Sequence, residues 1–428
     1  MRSVQEKAPA CPDCGAGLDG DDRFVVWCQE CEWNIDPAPP GEDGGRIDRA
    51  RRALAARHGE RLLAELTDGS ELRARRDPSS VAAFALALVV HGATLALVAG
   101  GLWLLLADLG VPLKVVGMLL LASAWPLSPR PARMPQNVPV LRRAQAPALF
   151  ALVDEVAAVV GTRGVDLIAV DAEPNASVMP VGWRGRRLLT LGLPLWEILT
   201  PRERVALLGH ELAHFSNGDL RHGVVVATGF RSLTTWHYYF LPTANPTVAE
   251  MLVNALYVIP RGILRGLLRL MDQLTLRATQ RAEYLADRGA ARAGSTESAL
   301  GLLDRLLVAD STTIALRREL NRTAAAASRA TRTSRRDEAG AGLWERVREH
   351  VASVPALEYE RLRRVGVRRG NSVDATHPPT HLRRTCLSIG APVPAAVETG
   401  AERERAVDAE LEPARGTWAR RIAQGGVG

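Results

Sequence analysis

From Val81 to Ala107 the chain is apolar apart from His91 and small hydroxyls. As a helix at 1.5 Å per residue such a run extends about 40 Å, enough to cross a bilayer with some tilt. After the turn residues Gly110 and Pro112, a second and shorter apolar run covers residues 111–127, with Lys114 near one end, where its ammonium can snorkel. Arg73, Arg75 and Arg76 precede the pair and Arg130, Arg133, Arg142 and Arg143 follow it, whereas the connecting turn holds only Asp108. The positive-inside rule therefore predicts a transmembrane helical hairpin over 81–127 with both ends in the cytoplasm. His91 within the first span either pairs with a neighbouring helix or serves as a functional polar group.

The pattern then changes to that of a mixed soluble domain. Residues 147–160 have helical periodicity, while 165–170 and 188–193 read as strands, with a turn through Gly182–Arg186 before the second. Between them lies the polar stretch Glu173-Pro174-Asn175-Ala176-Ser177-Val178-Met179. A small sheet just ahead of the next helix has an edge whose backbone groups can hold an extended peptide, or it is an ordinary hairpin packed on that helix. Thr200, Pro201 and Glu203 form a capping box that starts a buried helix through residue 219. Segments 223–241 and 251–276 are long enough to span a membrane. The first holds Arg231 and His237, and the second has Arg261, Arg265 and Arg269 at four-residue intervals, which suits an interfacial or partly buried helix better. Further helices are expected at 279–292, 343–364 and 401–422, the last either docking on the body or binding a partner. The Ala/Ser/Thr/Arg-rich stretch 321–342 reads as a mobile insertion. The fold class is thus mainly α with a small β-sheet, α+β.

Composition adds a bacterial signature and little else. Almost all basic residues of the 428 are Arg, with abundant Ala and Gly, the bias of a GC-rich genome, and the net charge of +7 comes without an aromatic-interleaved basic run. Nucleic acid is therefore not expected as a partner. Met1–Ala10 is polar and charged, so no signal peptide is expected to open the chain. Four of the five cysteines fall in two pairs, Cys11/Cys14 and Cys28/Cys31, around the strand-like Phe24-Val25-Val26-Trp27. This resembles a zinc ribbon: four thiolates close a tetrahedral site and leave no open position, so the ion there is structural. Cys386 stands alone, a small buried thiol in its plainest reading and a reactive one in the other. Residues 34–45 form a linker, and Arg46–Leu66 an amphipathic helix that is solvated or lies on a membrane surface.

The chemistry concentrates in His210-Glu211-Leu212-Ala213-His214. Four residues apart on one helix, both imidazoles can bind a single Zn²⁺, and Glu211 is placed to take a proton from a water that the ion activates. Two core histidines satisfied within a helix are the bland alternative. Downstream, Glu283-Tyr284-Leu285-Ala286-Asp287 supplies a third, carboxylate ligand in Glu283 and, one turn on, Asp287 to orient a ligating histidine through a hydrogen bond. The bland reading here is a charged helix face.

These two motifs together resemble the membrane-associated gluzincin proteases of the HtpX and CAAX-prenyl-protease group, over roughly Pro139–Leu387. The H-E-x-x-H helix matches 210–214, and E-x-x-A-D matches 283–287. Pro174-Asn175-Ala176 is similar to the group's substrate-edge motif, and Thr376-His377-Pro378 with Arg383 to its late His-Pro and Arg element, which implies roles for His377 and Arg383 at the tetrahedral intermediate. The ribbon is an added module, and the middle segments are less apolar than the group's inner membrane helices. The expected organisation is a zinc ribbon (1–33), a linker with amphipathic helix (34–80), the hairpin (81–127), a gluzincin-type zinc metalloprotease domain (139–387) and a C-terminal tail with helix (388–428). The implied function is a zinc-dependent endopeptidase of the bacterial cell membrane, multi-pass, with ribbon and catalytic domain on the cytoplasmic side. It would hold one catalytic and one structural Zn²⁺ and act on unfolded or membrane proteins. A zinc-stabilised membrane scaffold with an idle metal site is the rival from another class, and a hydrolase for a small lipidated or non-peptide substrate is a third reading.

Overall fold

The computed structural model describes residues 10–21, 23–37, 53, 57, 59–65, 78–108, 110–216, 220–309, 312–314, 316–318, 321, 342–369 and 378–423. Most of the expected insertion and the His377 position lie outside them, as do the first nine residues and most of the linker.

The long apolar run forms α1 (Pro78–Leu106), the one helix among the described residues that alone is long and apolar enough to cross a membrane, and the second run forms α2 (Val111–Leu127). They cross at two glycines: a Cβ on Gly101 would stand 2.9 Å from the Gly117 carbonyl oxygen, and one on Gly117 2.8 Å from that of Gly101. Such close backbone approach lets the two helices pack over a continuous van der Waals contact. Leu95, Trp103, Leu106, Val111, Leu119 and Trp125 are left exposed around the pair.

The mixed domain begins with β1 (Val140–Leu141) and α3 (Pro147–Val160). Proline at the first turn of α3 gives up an amide that has no partner there in any case, and the Glu410 carboxylate accepts from the next two, Ala148 N at 2.7 Å and Leu149 N at 2.8 Å. The strands β2 (Leu167–Asp171), β3 (Ala176–Val181) and β4 (Arg186–Gly192) follow, in spatial order β1-β2-β4-β3. β2 and β4 run parallel, and β3 pairs antiparallel with β4 in the register Val178 to Leu189. The stretch around Asn175–Met179, which the sequence marks only as an edge, is thus a strand in its own right, β3, and it is one of the two edge strands of the sheet.

Next come α4 (Leu193–Ile198), α5 (Pro201–Ser216), α6 (Leu220–Tyr239), α7 (Val248–Leu256), α8 (Val258–Gly294) and α9 (Thr296–Leu307). The capping box at the start of α5 forms in both directions, Thr200 N donating to Glu203 Oε2 at 2.8 Å and Glu203 N to Thr200 Oγ1 at 3.3 Å. The arginine-striped segment 251–276 is divided between α7 and α8; α7 and the first part of α8, bent by 44°, are long and apolar enough to span only together. Ala83, Ala87 and Val90 of α1 pack on Leu233 of α6 and on Leu264 and Met271 of α8. His91 pairs across this seam, its Nε2 lying 3.2 Å from both Thr228 Oγ1 and the Val225 carbonyl oxygen.

The chain closes with α10 (Leu343–Ala352), α11 (Ala356–Arg369), α12 (Thr380–Ser388) and α13 (Ala401–Ala423). One core joins α3, the sheet, α5, α9, α10 and α13 through Phe150, Ile168, Leu189, Leu208, Leu302, Val347 and Leu411. The C-terminal helix therefore docks on the body, and Trp418 donates its indole N–H to the Val170 carbonyl at 2.8 Å.

The cysteine module docks as well. Gly15 N to Cys11 O and Glu32 N to Cys28 O, both at 2.9 Å, close the two knuckles, with Gly15 and Glu32 in the left-handed region. The strand-like stretch 24–27 forms no strand. Instead Trp27 is buried with Ile35 against Val365 of α11, and Arg364 lies over its ring at 5.2 Å. Arg361 and Arg364 donate to the Ile35 and Gln29 carbonyls, each at 2.8 Å, and Arg369 pairs with Asp36. Helix α11 enters, through residues 370–379, the segment that carries Arg383.

Candidate active site

Helices α5 and α8 meet at a distance that only small residues permit. A Cβ on Gly289 would fall 2.6 Å from Ala213 Cβ and 3.0 Å from the Gly209 carbonyl oxygen; one on Gly209 would fall 2.9 Å from the Gly289 carbonyl oxygen, and one on Gly294 2.8 Å from Ala206 N. Positions 206, 209 and 213 of α5 and 289, 290, 293 and 294 of α8 thus form a backbone-to-backbone seam, burying Ala206, Ala213, Ala290 and Ala293. This seam brings the two chemical motifs, some seventy positions apart in the chain, onto one point.

There the imidazoles of His210 and His214 stand edge to face, ring centres 5.0 Å apart. Glu283 reaches both, with Oε2 at 3.5 Å from His210 Nε2 and Oε1 at 3.7 Å from His214 Nε2. One ligand atom from each of the three lies within 4.8 Å of the others. Nitrogen and oxygen ligands held about 2.0–2.1 Å from an ion at tetrahedral angles are about 3.3–3.4 Å apart, so three ligand atoms within 4.8 Å of one another can hold such an ion once they draw in toward it. Glu211 is buried on the same turn as His210.

Behind His210 stands a buried charge relay. Its Nδ1 lies 3.1 Å from Asp287 Oδ1, and Asp287 in turn takes a two-point pairing from Arg383, Nη2 at 2.6 Å and Nε at 2.9 Å. All three side chains are almost wholly buried. Burial works against the Asp287 carboxylate, but the Arg383 guanidinium and the His210 N–H outweigh it and hold the group down at about 2. Removing one partner of so buried a pair leaves the other charge stranded, at a cost of about 3–5 kcal/mol. Arg383 is also 3.9 Å from Glu283 Oε2. Its two closest contacts are with Asp287, so its guanidinium is placed to steady Asp287 beside the His210 ring. The sequence does not announce that link, because nothing in the spacing of residues 287 and 383 signals contact.

Burial also opposes an imidazolium at His210, yet acceptance by Asp287 and Glu283 prevails and raises the group to about 10. The sign follows directly. In metal-free chain the His210 contribution to stability is complete below its ordinary value of about 6.5 and is lost as pH rises toward 10. A cation requires the neutral ring, so its affinity should rise with pH through that same window. Zinc affinity measured by chelator competition between pH 6 and 10 and thermal unfolding of stripped chain should therefore change in opposite directions; parallel trends would contradict this assignment.

The remaining sequence candidates are placed as follows. Asn175 sits at the entrance to β3, its carbonyl accepting from Gly192 N and its Oδ1 from Ala176 N, both at 2.8 Å. Ala176 opens the edge strand, which packs on α5. His377 lies outside the described residues. In the cysteine module Cys11 Sγ and Cys31 Sγ are 3.6 Å apart and Cys14 Sγ and Cys28 Sγ 3.5 Å, and none of the four is in a disulfide. Sulfurs about 2.3 Å from a tetrahedral ion are about 3.8 Å apart, so these four also fit one.

Two imidazoles and a carboxylate around one point, with an acid on the next residue and a buried carboxylate behind, define a site of the metallopeptidase kind. The chain belongs to peptidase family M48, whose family model matches residues 143–388. It is similar to Protease HtpX of Nitrosococcus oceani, 25% identical over 152 residues that make up 33% of this chain and 50% of the relative. The chain thus spans about half the length of the curated relative it matches. No solved structure matches it.

Proposed function

We propose that the chain is a membrane-anchored zinc-dependent endopeptidase that cleaves unfolded or membrane proteins, working on the cytoplasmic face of a bacterial membrane as a multi-pass protein. The convergence of His210, His214 and Glu283 within 4.8 Å, with Glu211 alongside, is the observation that carries this reading. The division into ribbon, linker, hairpin, protease domain and tail belongs to the proposal, with the tail helix counted as part of the body.

When bound at these three ligands, Zn²⁺ would lower the pKa of water and polarise the scissile carbonyl. Glu211 accepts the proton of the attacking water and returns it to the leaving amine. Asp287, steadied by Arg383, accepts from His210 Nδ1–H and so leaves the Nε2 lone pair of that ring available as the ligand that would hold the metal. The free edge of β3, beginning at Asn175 and Ala176, receives the substrate backbone in extended form. His377 and Arg383 are the further donors proposed for the oxyanion. Cys11, Cys14, Cys28 and Cys31 would hold a second, structural zinc.

The scaffold reading draws less support, because the ribbon face around Trp27 and Ile35 is already occupied by α11. Full-length chain purified in detergent should contain two zinc ions and cleave an unfolded protein, with cleavage lost on treatment with a chelator and restored by zinc. Cleavage that persists in metal-stripped chain would overturn the reading.

A further inference from the structure

The turn between β3 and β4, residues 182–185, carries the most exposed large apolar side chain among the described residues, Trp183 at 87%. It is a closed turn: Gly182 and Gly185 both sit at positive φ, and Gly185 N closes the turn on the Gly182 carbonyl at 3.1 Å. An indole held out in this way adds nothing to the core. Arg184 and Arg186 flank it, both exposed and neither with an acidic partner among the described residues.

The tip is fastened to the foot of the membrane hairpin. Ala132 bridges Val181 in parallel and its carbonyl accepts from Gly182 N at 2.9 Å. Ala132 lies five residues beyond Leu127, the last residue of α2, so the connection spans at most about 17 Å. At that same end of α2, Trp125 is exposed and the Arg130 guanidinium lies 5.6 Å from the centre of its ring. Arg133, next to Ala132, is exposed too. Tryptophans with arginines near the end of an apolar helix are the composition of a membrane–water interface, where the ring rests among headgroups and the guanidinium meets phosphate.

We propose that the β3–β4 turn is an interfacial anchor for a bilayer rich in anionic lipid. Trp183 enters the headgroup layer, and Arg184, Arg186 and Arg133 contact lipid phosphates. Because β3 is both the strand that ends in this tip and the edge that packs on α5, the anchor sets the height of the substrate edge and of His210 above the membrane. The inference rests on reading α1 and α2 as membrane-embedded.

The test uses the full chain in phosphatidylcholine vesicles with and without phosphatidylglycerol, and isolates the Trp183 signal as the difference between wild type and Trp183→Ala. That signal is expected to be shielded from aqueous iodide and quenched more by lipid bromines placed near the headgroup than by those near the chain ends. It should be stronger with phosphatidylglycerol and weakened in Arg184→Glu/Arg186→Glu, each arginine being worth roughly five-fold in partition. A Trp183 signal open to iodide and untouched by bromine, in chain whose other tryptophans are still quenched by lipid, would overturn the anchor alone. Shielding in detergent that grows with protein concentration would place Trp183 between copies of the chain and overturn it equally. Chain that fails to float with vesicles would remove the membrane reading of α1 and α2, and the anchor with it.

Discussion

Chain carrying Glu211→Gln should bind zinc as the parent does and cleave unfolded protein at least about 10²-fold more slowly. Glu211 is the residue after His210 on α5 and is buried, so an amide of the same shape preserves the packing of the helix and leaves the three ligands untouched. What it removes is the proton acceptor. A carboxylate can take a proton from water and surrender it to an amine in one turnover, whereas an amide oxygen is far too weak a base to do so. Metal content of the purified chain, measured beside cleavage of an unfolded protein, separates the two effects. Undiminished cleavage would take Glu211 out of the mechanism, and loss of zinc would show that its part is structural.

The second large effect is expected at a residue with no side chain. In Gly289→Leu the new Cβ meets Ala213 Cβ at 2.6 Å and the Gly209 carbonyl oxygen at 3.0 Å, so α5 and α8 must move apart. Neither contact is the end of a flexible side chain that could swing away. Overpacking of this kind costs about 1–3 kcal/mol in stability. The larger consequence falls on the site, because His210 and His214 ride on one helix and Glu283 on the other. A misplacement of about 1 Å costs on the order of 10²-fold in rate, and a third ligand drawn out of reach weakens the metal as well. Gly289→Leu should therefore lose both zinc affinity and cleavage, while Gly262→Ala on the same helix, where a Cβ meets nothing within 4 Å, should keep both. Equal zinc affinity in the two variants would show that the seam does not position Glu283.

Signals that lie within a turn or two of chain are legible in the amino-acid order. The capping box at Thr200 and Glu203 forms as its spacing requires, and His210 and His214 share a face because four residues make about one turn of helix. The two cysteine pairs close knuckles for the same local reason. Where the local pattern is ambiguous, long-range packing decides. The stretch 24–27 looks like a strand because Val, Phe and Trp favour one, yet Trp27 finds burial against α11 and no pairing partner forms. Segment 251–276, by contrast, divides into α7 and α8 where Pro260, in the first turn of α8, has no N–H to offer the Leu256 carbonyl, a break that the amino-acid order does mark. The family resemblance implies a place for Arg383 at the reacting carbonyl, and the structure adds its pairing with Asp287, a contact that neither residue's neighbours announce.

The amino-acid order on its own thus supplies an inventory: which residues can bind metal, which runs suit a bilayer, and where helices begin, since each of these follows from side-chain chemistry and backbone periodicity over short spans. What meets what is settled by packing alone. Glu283 comes beside His210 and His214 because two rows of glycine and alanine let their helices touch. β3 becomes the exposed edge because β4 pairs with β2 on its other side, and the ribbon and the last helix become parts of the body because α11 and α3 offer them buried partners. The physical reason is common to all three: a contact between distant segments depends on the shapes of both surfaces at once, and one stretch of chain carries the shape of only one of them.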